Sequence, residues 1–286
     1  MRILITGADG QLGRELRRTL HEHDILATDL RPGLVAMDIC DYDSTLSTIS
    51  EFRPDLVIHA AAHTNVDGCE RDPDSAYAVN ALGTQNVALA CLRNGAAMLY
   101  VSTDYVFDGE KGSPYLEFDP TNPVSAYGRS KLAGEESVTS LLQRYYIVRT
   151  AWLYSRHGSN FVKWALQASS KQAELMGVVD QIGSPTNAAD LAEAIGRLVQ
   201  TKRYGVYHFT NEGSCSRYEF LCRILELSGQ QARVTPVDTP QFLARYPLPA
   251  RRPANSTLRN FCASRSLGIR LRPWEEALQE LLCSLR

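Results

Sequence analysis

The chain has 286 residues, of which 44% are hydrophobic and 22% are charged, a composition typical of a globular protein with a large buried core. A formal net charge of −2 provides no field to attract nucleic acid or an anionic membrane, so we expect neither as a partner. No apolar run approaches membrane-spanning length, the first residues form no charged leader, and the seven cysteines form no C-x-x-C pair. These features predict a cytoplasmic protein with reduced thiols.

An apolar strand at residues 3–5 leads into a glycine-rich turn and a helix predicted over 12–21. The turn carries Gly7, Gly10 and Gly13 in the spacing G-x-x-G-x-x-G. Glycines at this spacing permit a tight turn, a close approach of backbone N–H groups to a pyrophosphate, and close packing of the helix on the strand. The strand-to-helix context favours a dinucleotide-binding turn over a purely structural one.

A second predicted strand, 24–28, ends at Asp29. An acid at this place accepts hydrogen bonds from the adenosine ribose and repels a 2′-phosphate, which favours NADH. Arg31 lies two residues further on and offers a partner for that phosphate, so both NADPH and NADH stay open. Asp38 and Ile39 follow a third short strand and are candidates to contact adenine. The alternative for Asp38 is that it caps the helix predicted over 41–52.

Two further apolar runs, 56–62 and 97–102, flank a helix predicted over 74–93. Continuous apolar runs are typical of parallel strands covered on both faces. Strands that alternate with helices of this length predict an α/β fold with a doubly wound parallel sheet of the Rossmann type. Ligands of such sheets bind at the carboxyl ends of the strands, so we expect Thr103, directly after the second run, to lie at the edge that carries the glycine turn.

Tyr127 and Lys131 are four residues apart in a helix predicted over 126–142 and therefore share one of its faces. A free tyrosine ionises at about pH 10, and a cation nearby lowers that pKa. Such a pair is suited to exchange a proton during the interconversion of an alcohol and a ketone. Tyr-x-x-x-Lys also occurs on ordinary surface helices, and a threonine at a strand end can merely bond backbone groups.

The strand-helix alternation loosens after residue 151. We predict a dinucleotide-binding domain over 1–151 and a smaller carboxyl-terminal substrate lobe over 152–286, with parts of 175–205 returning to the first domain. Prolines at 240, 247, 249 and 253 predict a loop over 239–253. Within it, Arg251 and Arg252 either clasp a diphosphate or form a solvated basic turn. The other elements predicted here are helices over 161–170, 190–201, 216–228 and 274–285 and a strand over 205–209.

Taken together, these motifs resemble the extended short-chain dehydrogenase/reductase superfamily. The resemblance is carried by the glycine turn and by Ala-Ala-Ala-His-Thr at 60–64, Ser-Thr-Asp-Tyr-Val-Phe-Asp-Gly at 102–109 and Tyr-Gly-Arg-Ser-Lys at 127–131. Within the superfamily the chain resembles the dTDP-4-dehydrorhamnose reductase family. Segments 149–154, 180–186 and 213–220 add to this similarity, which covers nearly the whole chain.

The resemblance implies an oxidoreductase that uses NADPH or NADH to reduce the C4 ketone of a dTDP-linked 4-keto-6-deoxy sugar in nucleotide-sugar biosynthesis for cell-surface polysaccharide. It implies Tyr127 as proton donor, Lys131 as the residue that holds the nicotinamide ribose, and Thr103 as a catalytic and substrate contact. Asp104 and Trp152 are the further substrate contacts implied. The implied cofactor contacts are Gly7, Gly10, Gln11, Leu12, Gly13, Asp29, Asp38, Ile39, Ala62, His63, Thr64, Tyr127 and Lys131.

Some members of this family are dimers that bind Mg²⁺ through acidic side chains. Glu15 and Asp190 stand in suggestive places, but no third carboxylate is evident, so we assign no metal-binding residues and leave open both Mg²⁺ binding and the choice between monomer and homodimer. The rival activities are an epimerase, a 4,6-dehydratase, and a non-catalytic regulatory subunit that only holds the cofactor. Dehydratases of this kind resemble Thr-Asp-Glu after the strand, whereas here Tyr105 follows Thr103-Asp104. That residue favours plain reduction.

Overall fold

The computed structural model describes residues 1–285, which fold around a large central sheet. In chain order the strands are β1 (Arg2–Thr6), β2 (Asp24–Asp29), β3 (Val35–Ala36), β4 (Leu56–His59), β5 (Ala97–Thr103), β6 (Tyr145–Thr150), β7 (Leu153–Tyr154), β8 (Glu174–Val178), β9 (Ile182–Gly183), β10 (Thr186–Asn187), β11 (Gly205–His208), β12 (Cys215–Ser216) and β13 (Arg233–Val237).

The α-helices alternate with these strands over most of the chain. In order they are α1 (Gln11–Thr19), α2 (Tyr42–Phe52), α3 (Val66–Arg71), α4 (Pro73–Tyr77), α5 (Thr84–Asn94), α6 (Ala126–Leu141), α7 (Phe161–Ser169), α8 (Ala188–Gln200), α9 (Arg217–Ser228), α10 (Thr239–Arg245) and α11 (Trp274–Ser284). Two π-helical segments, Ala78–Gly83 and Ala263–Leu267, and one 3₁₀ turn, Asp104–Val106, complete the set.

The central sheet has seven strands in the order β11-β6-β5-β4-β1-β2-β3. Each neighbouring pair is parallel. The strand order reverses at β1, from which the chain runs outward to β3 and then crosses to β4. This arrangement confirms the predicted doubly wound parallel sheet, and it brings the ends of β1, β4 and β5 to one edge.

The sheet is covered on both faces, which explains the continuous apolar runs of its strands. Alternate residues of β1 point to opposite sides. Ile3 and Ile5 join a core that includes residues of α1 and α8. Leu4 joins the core on the other face with residues of α2, α5 and α6.

Residues after 151 divide between this sheet and a separate core. Helix α8 packs against α1, and β11 is the edge strand beside β6. Helices α7, α9 and α11 instead pack together around Phe220 and Trp274. The division into two domains at residue 151 stays a prediction.

Two sequence expectations for local structure are wrong. Within the predicted loop over 239–253, Thr239–Arg245 is helical because Asp238 and Gln241 form a capping box and Pro240 lies in the first turn, where its missing N–H is not needed. The single helix predicted over 74–93 is interrupted by the π-helical segment Ala78–Gly83. Other predicted helices are present with ends displaced by a few residues.

Within residues 1–285, every helix falls short of the length or the apolar content that a membrane crossing requires.

Candidate active site

The glycine turn has the geometry of a phosphate cradle. Gly7 has a φ of +63°, and a Cβ there would stand 2.7 Å from the Ala61 backbone nitrogen. A Cβ on Gly13 would stand 2.2 Å from the Gly7 carbonyl oxygen. Gly10 begins α1 with no side-chain cap and no acidic residue in the first turn. The first N–H groups of α1 are therefore available to an anion, so the residues present fit a dinucleotide pyrophosphate.

The two residues after Gly10 contribute in different ways. Leu12 is 5% exposed and belongs to the core, so only its backbone can face a cofactor. The Gln11 side chain accepts a hydrogen bond from Asn160 Nδ2 at 3.0 Å. Since Asn160 caps α7, this contact joins the glycine turn to the carboxyl-terminal half of the chain.

The Asp29 carboxylate is engaged by backbone groups. Its Oδ2 accepts a hydrogen bond from the Asp9 N–H at 2.9 Å, and its Oδ1 accepts one from the Arg31 N–H at 3.1 Å. Arg31 itself reaches Asp9 Oδ2 at 3.2 Å, while its side chain stays 66% exposed. A carboxylate and an exposed guanidinium thus lie together at the end of β2, so this end of the site offers a partner both for the ribose hydroxyls and for a 2′-phosphate.

Asp38 is not the cap of the following helix. Its carboxylate accepts a hydrogen bond from the Cys40 N–H, whereas Asp41 caps α2 by accepting one from Ser44. The capping alternative for Asp38 is therefore wrong. Ile39 is buried in the core, and its Cδ1 would lie 2.9 Å from a Cβ on Gly83.

The segment 62–64 is fixed by a residue that the sequence did not single out. Asn80 accepts a hydrogen bond from the His63 N–H at 2.8 Å and donates one to the His63 carbonyl at 3.0 Å. It also donates to Ser130 Oγ in α6 at 3.0 Å. Asn80 lies in the first π-helical segment, a distortion common at functional sites. The one feature of the sequence that points to Asn80 is that an asparagine stands inside a helix predicted to be regular.

Thr103 and Tyr127 meet at the carboxyl end of β5. The Thr103 hydroxyl donates to Asp104 Oδ1 at 3.0 Å, accepts from the Tyr105 N–H at 3.1 Å, and lies near enough to Tyr127 to lower the pKa of its phenol. Burial raises the pKa of Tyr127, and Thr103 offsets only part of that rise. Burial is the largest effect on this pKa, and the expected lowering by Lys131 stays a prediction. Tyr127 is protonated at neutral pH, the state that a proton donor requires.

The Lys131 side chain is buried and directed at the sheet. Its Nζ donates to the Val101 carbonyl at 2.8 Å and lies 4.1 Å from the centroid of the Tyr100 ring. Burial lowers the pKa of Lys131 to about 7, and the carboxylate of Glu135 opposes that effect. The charge on this ammonium is therefore sensitive to pH in the neutral range.

Asp104 and Trp152 line the same region. Burial raises the pKa of Asp104 to about 6, although Ser256 Oγ donates to its Oδ2 at 2.5 Å. Trp152 has a φ of +44°, a left-handed conformation that is strained for a bulky residue. Its ring packs so closely on Gly183 that a Cβ there would stand 2.4 Å from it.

The sequence did not single out Arg217, the first residue of α9. Its guanidinium lies 3.4 Å above the centroid of the Trp152 ring and lowers the pKa of the nearby Tyr105 phenol, which burial raises more strongly. No carboxylate of residues 1–285 forms an ion pair with it, although Asp104 and Arg252 act on it electrostatically. A partly buried guanidinium without a carboxylate partner is suited to an anionic ligand.

The two arginines that were predicted as a diphosphate clasp already have acidic partners. Arg252 pairs with Asp67 at 2.6 Å, and the exposed Arg251 pairs with Glu110 at 3.2 Å. Of the three arginines, Arg217 is the one whose charge is left unpaired.

The residues that suggested Mg²⁺ do not fit that ion. Glu15 pairs with Arg18 at 2.9 Å and Asp190 with Arg272 at 2.8 Å. No group of three or more acidic, histidine or cysteine residues within 1–285 is arranged to hold a metal. Because arginines already neutralise both carboxylates, no step of the chemistry below involves a metal.

Comparison with known proteins places the chain in a family. Residues 1–286 match the family described as the RmlD substrate binding domain. The spore coat polysaccharide biosynthesis protein SpsK of Bacillus subtilis (strain 168) is 41% identical over 283 residues, which cover 98% of this chain and 96% of that protein.

Two crystal structures are similar over their whole length. That of a dTDP-4-dehydrorhamnose reductase from Clostridium acetobutylicum ATCC 824 is 44% identical, with a TM-score of 0.94 and coverage of 100% of this chain and 99% of that one. That of the dTDP-4-dehydrorhamnose reductase from Bacillus anthracis str. Ames in complex with NADP is 40% identical, with a TM-score of 0.94 and coverage of 99% of each chain. The chain therefore belongs to the dTDP-4-dehydrorhamnose reductase family, which carries the RmlD substrate binding domain.

Proposed function

We propose that this protein is an NAD(P)H-dependent oxidoreductase that reduces the C4 ketone of dTDP-4-dehydro-L-rhamnose to give dTDP-L-rhamnose. Family membership supports the substrate class and the cofactor. The observation that carries the proposal is the convergence of Thr103, Tyr127 and Lys131 at the carboxyl end of β5, where Asp104 and the Tyr105 N–H fix Thr103 and the Val101 carbonyl fixes Lys131. The environment of Tyr127 there keeps its phenol protonated. A partly buried, neutral phenol beside a hydroxyl is what ketone reduction needs from the protein.

The cofactor is held by the chain's own backbone more than by its side chains. The uncapped amino terminus of α1 receives the pyrophosphate, and Asp29 with Arg31 meets the adenosine ribose. Ala62, His63 and Thr64 flank the nicotinamide side, with His63 fixed by Asn80. When bound, the reduced nicotinamide supplies the hydride, so the protein must supply position and a proton.

The proton comes from the Tyr127 hydroxyl. It is donated to the ketone oxygen as negative charge develops there. Thr103 lies beside Tyr127, and its single O–H, which is donated to Asp104 in this structure, turns to donate to the same oxygen. Lys131, in its charged form, stabilises the phenolate that remains and orients the nicotinamide ribose.

The substrate is held on the other side of the site by Trp152 and Arg217. The Trp152 ring offers a flat apolar surface for the sugar, and Arg217, stacked on that ring, is the cation for the negatively charged nucleotide portion. Asp104 accepts hydrogen bonds from the hydroxyls of Thr103 and Ser256 and so holds both hydroxyls in place.

The experiment is to mix the purified protein with NADPH or NADH and the dTDP-4-keto sugar. We expect the absorbance of the reduced nicotinamide to fall and the product to gain two hydrogens by mass. A product of unchanged mass supports an epimerase instead. Failure to consume either cofactor supports a regulatory subunit that only holds it.

The setting of this activity follows from the family. We propose that the protein acts in the cytoplasm, in nucleotide-sugar biosynthesis for cell-surface polysaccharide. The name of the relative SpsK, a spore coat polysaccharide biosynthesis protein, supports the link to polysaccharide. Every residue to which we assign a role lies on one chain, so the reaction is compatible with either a monomer or a homodimer.

A further inference from the structure

A buried carboxylate lies one helical turn beyond Lys131, and the reaction described above gives it no role. Glu135 follows Lys131 by four residues in α6, so the two side chains share a face. Its carboxylate accepts hydrogen bonds from Arg149 Nη2 at 2.6 Å and Nε at 2.9 Å, and from Ser102 Oγ at 2.5 Å. The Glu135 side chain is 5% exposed and that of Arg149 7%. The carboxylate is therefore rigidly held and shielded from water.

The Lys131 ammonium has no carboxylate in direct contact among residues 1–285. It donates to the Val101 carbonyl and lies over the Tyr100 ring. Because Val101 and Ser102 are consecutive in β5, the ammonium and the Glu135 carboxylate are bound to neighbouring residues of one strand. Burial lowers the pKa of the Lys131 ammonium, and the negative charge of Glu135 raises it again in part.

The groups that face Lys131 from other elements supply no negative charge. His59 in β4 lies close enough for the two charges to interact, but burial lowers its pKa to about 3, so it is neutral. Tyr100 in β5 bonds the Lys131 carbonyl, and burial raises its pKa, so it is neutral as well. Tyr127 is a protonated phenol. Arg149 in β6 is a cation held by Glu135.

Stability alone is a poor explanation for the buried pair. Replacement of a buried ion pair by apolar residues is often neutral or stabilising, because the two charges must be taken out of water. The Arg149 Nη1 atom has no hydrogen-bond partner in the described structure, so the hydrogen bonds among Ser102, Glu135 and Arg149 do not satisfy every donor of the guanidinium. The best-satisfied group among them is the Glu135 carboxylate.

We propose that Glu135 is a positioning residue for the reduction, whose carboxylate, clamped by Arg149 and Ser102, serves as the buried counter-charge that keeps the Lys131 ammonium charged behind the site. Its effect on catalysis rests on the proposed function. Its effect on the charge of Lys131 does not.

The test measures the Lys131 ammonium directly. The chain has five lysines, at 111, 131, 163, 171 and 202, so ¹³C-labelled lysine gives few NMR signals, and Lys131→Arg assigns the one of interest. Glu135→Gln is expected to make Lys131 titrate about one pH unit lower. The control is Glu136→Gln, which removes an exposed carboxylate next in the same helix and is expected to leave the titration unchanged. An unchanged titration in Glu135→Gln would overturn the proposal.

A second variant separates the effect on Lys131 from a loss of folding, because Glu135→Gln alone leaves the buried Arg149 without its ion-pair partner. Glu135→Gln combined with Arg149→Gln removes both charges, and Lys131 is still expected to titrate lower because Glu135 is the group that acts on it. Wild-type titration in this double variant contradicts the proposal.

Kinetic measurements then separate the effect of Glu135 on the charge of Lys131 from its effect on catalysis. If the protein reduces the sugar, the alkaline limb of kcat/KM is expected to move with the NMR titration, and a limb that stays in place overturns the catalytic role. If no reduction occurs, the NMR result still decides whether Glu135 sets the charge of Lys131.

Discussion

At the scale of single residues, the site keeps one group neutral and another charged near neutral pH. Burial acts on both Tyr127 and Lys131, but it disfavours the charged form in each case, so it raises the pKa of the phenol and lowers that of the ammonium. The phenol is therefore a stable proton donor, and the ammonium is the group that titrates. Two predictions follow from this difference.

Tyr127→Phe removes the proton donor and leaves the ring. We expect kcat to fall at least about a hundredfold while cofactor affinity is kept. Stopped-flow reduction and cofactor titration check both parts. Tyr105→Phe, in a ring that meets Tyr127 edge-on at 5.7 Å, is the matched control and is expected to keep kcat within a few-fold. Near-normal turnover in Tyr127→Phe would remove Tyr127 from the mechanism.

The pH dependence belongs to Lys131. Its pKa in the folded protein is lowered to about 7, so the ammonium is present below that pH and is lost as pH rises through it. We therefore expect kcat/KM, which reports the free enzyme, to decline on the alkaline side with an apparent pKa of about 7. In Lys131→Arg the side chain stays charged over this pH range, so the alkaline decline of kcat/KM is expected to disappear. A decline that persists in that variant would assign the titration to another group.

At the scale of elements, the site depends on two places where a glycine lets another segment approach closely: Gly7 against the backbone of Ala61, and Gly183 against the Trp152 ring. The sequence pattern identified the glycine turn because its spacing is tied to a strand and a helix. It gave no sign of Gly183, since a lone glycine in a short strand has no pattern. Arg217 was missed for a similar reason: the contacts that define it, Trp152 and Tyr105, are distant in sequence.

Gly183→Ala tests the contact with Trp152. The added methyl group would meet the indole ring at 2.4 Å, and Trp152 is already strained, so we expect the ring to shift. The KM for the sugar nucleotide should rise at least about tenfold, with cofactor binding unchanged. Gly196→Ala in α8, where the nearest side-chain atom would be 3.4 Å away, is expected to be tolerated. Equal KM values in the two variants would contradict this role for Gly183.

At the scale of the whole molecule, hydrophobic pattern and strand-helix alternation were enough to predict the central sheet. The doubly wound parallel arrangement and most helices agree with that prediction because apolar burial on both faces leaves few alternatives. The capping box at Asp238 and the π-helical segment around Asn80 were not predictable in this way. The former is a local hydrogen-bond pattern among prolines, and the latter depends on contacts of Asn80 to His63, in the segment after β4, and to Ser130 in α6.

Charge pairing across the fold gives a prediction about metals. Glu15 and Asp190 are neutralised by Arg18 and Arg272, so we expect treatment with EDTA to change neither the rate, within about twofold, nor the Tm, by more than about 2 °C. Activity assays and thermal melts with and without added Mg²⁺ check this. A loss of activity that Mg²⁺ restores would show that a divalent ion binds elsewhere in the chain.

The double hydrogen bond from Asn80 to His63 has an effect on affinity. One amide side chain fixes both the N–H and the carbonyl of a residue that we assign to the cofactor. This stretch of backbone is immobilised before any ligand arrives, so little conformational entropy is left to lose on association. Asn80→Ala should consequently weaken cofactor affinity through a faster dissociation rate, although Asn80 is buried and touches the ligand only through its neighbours.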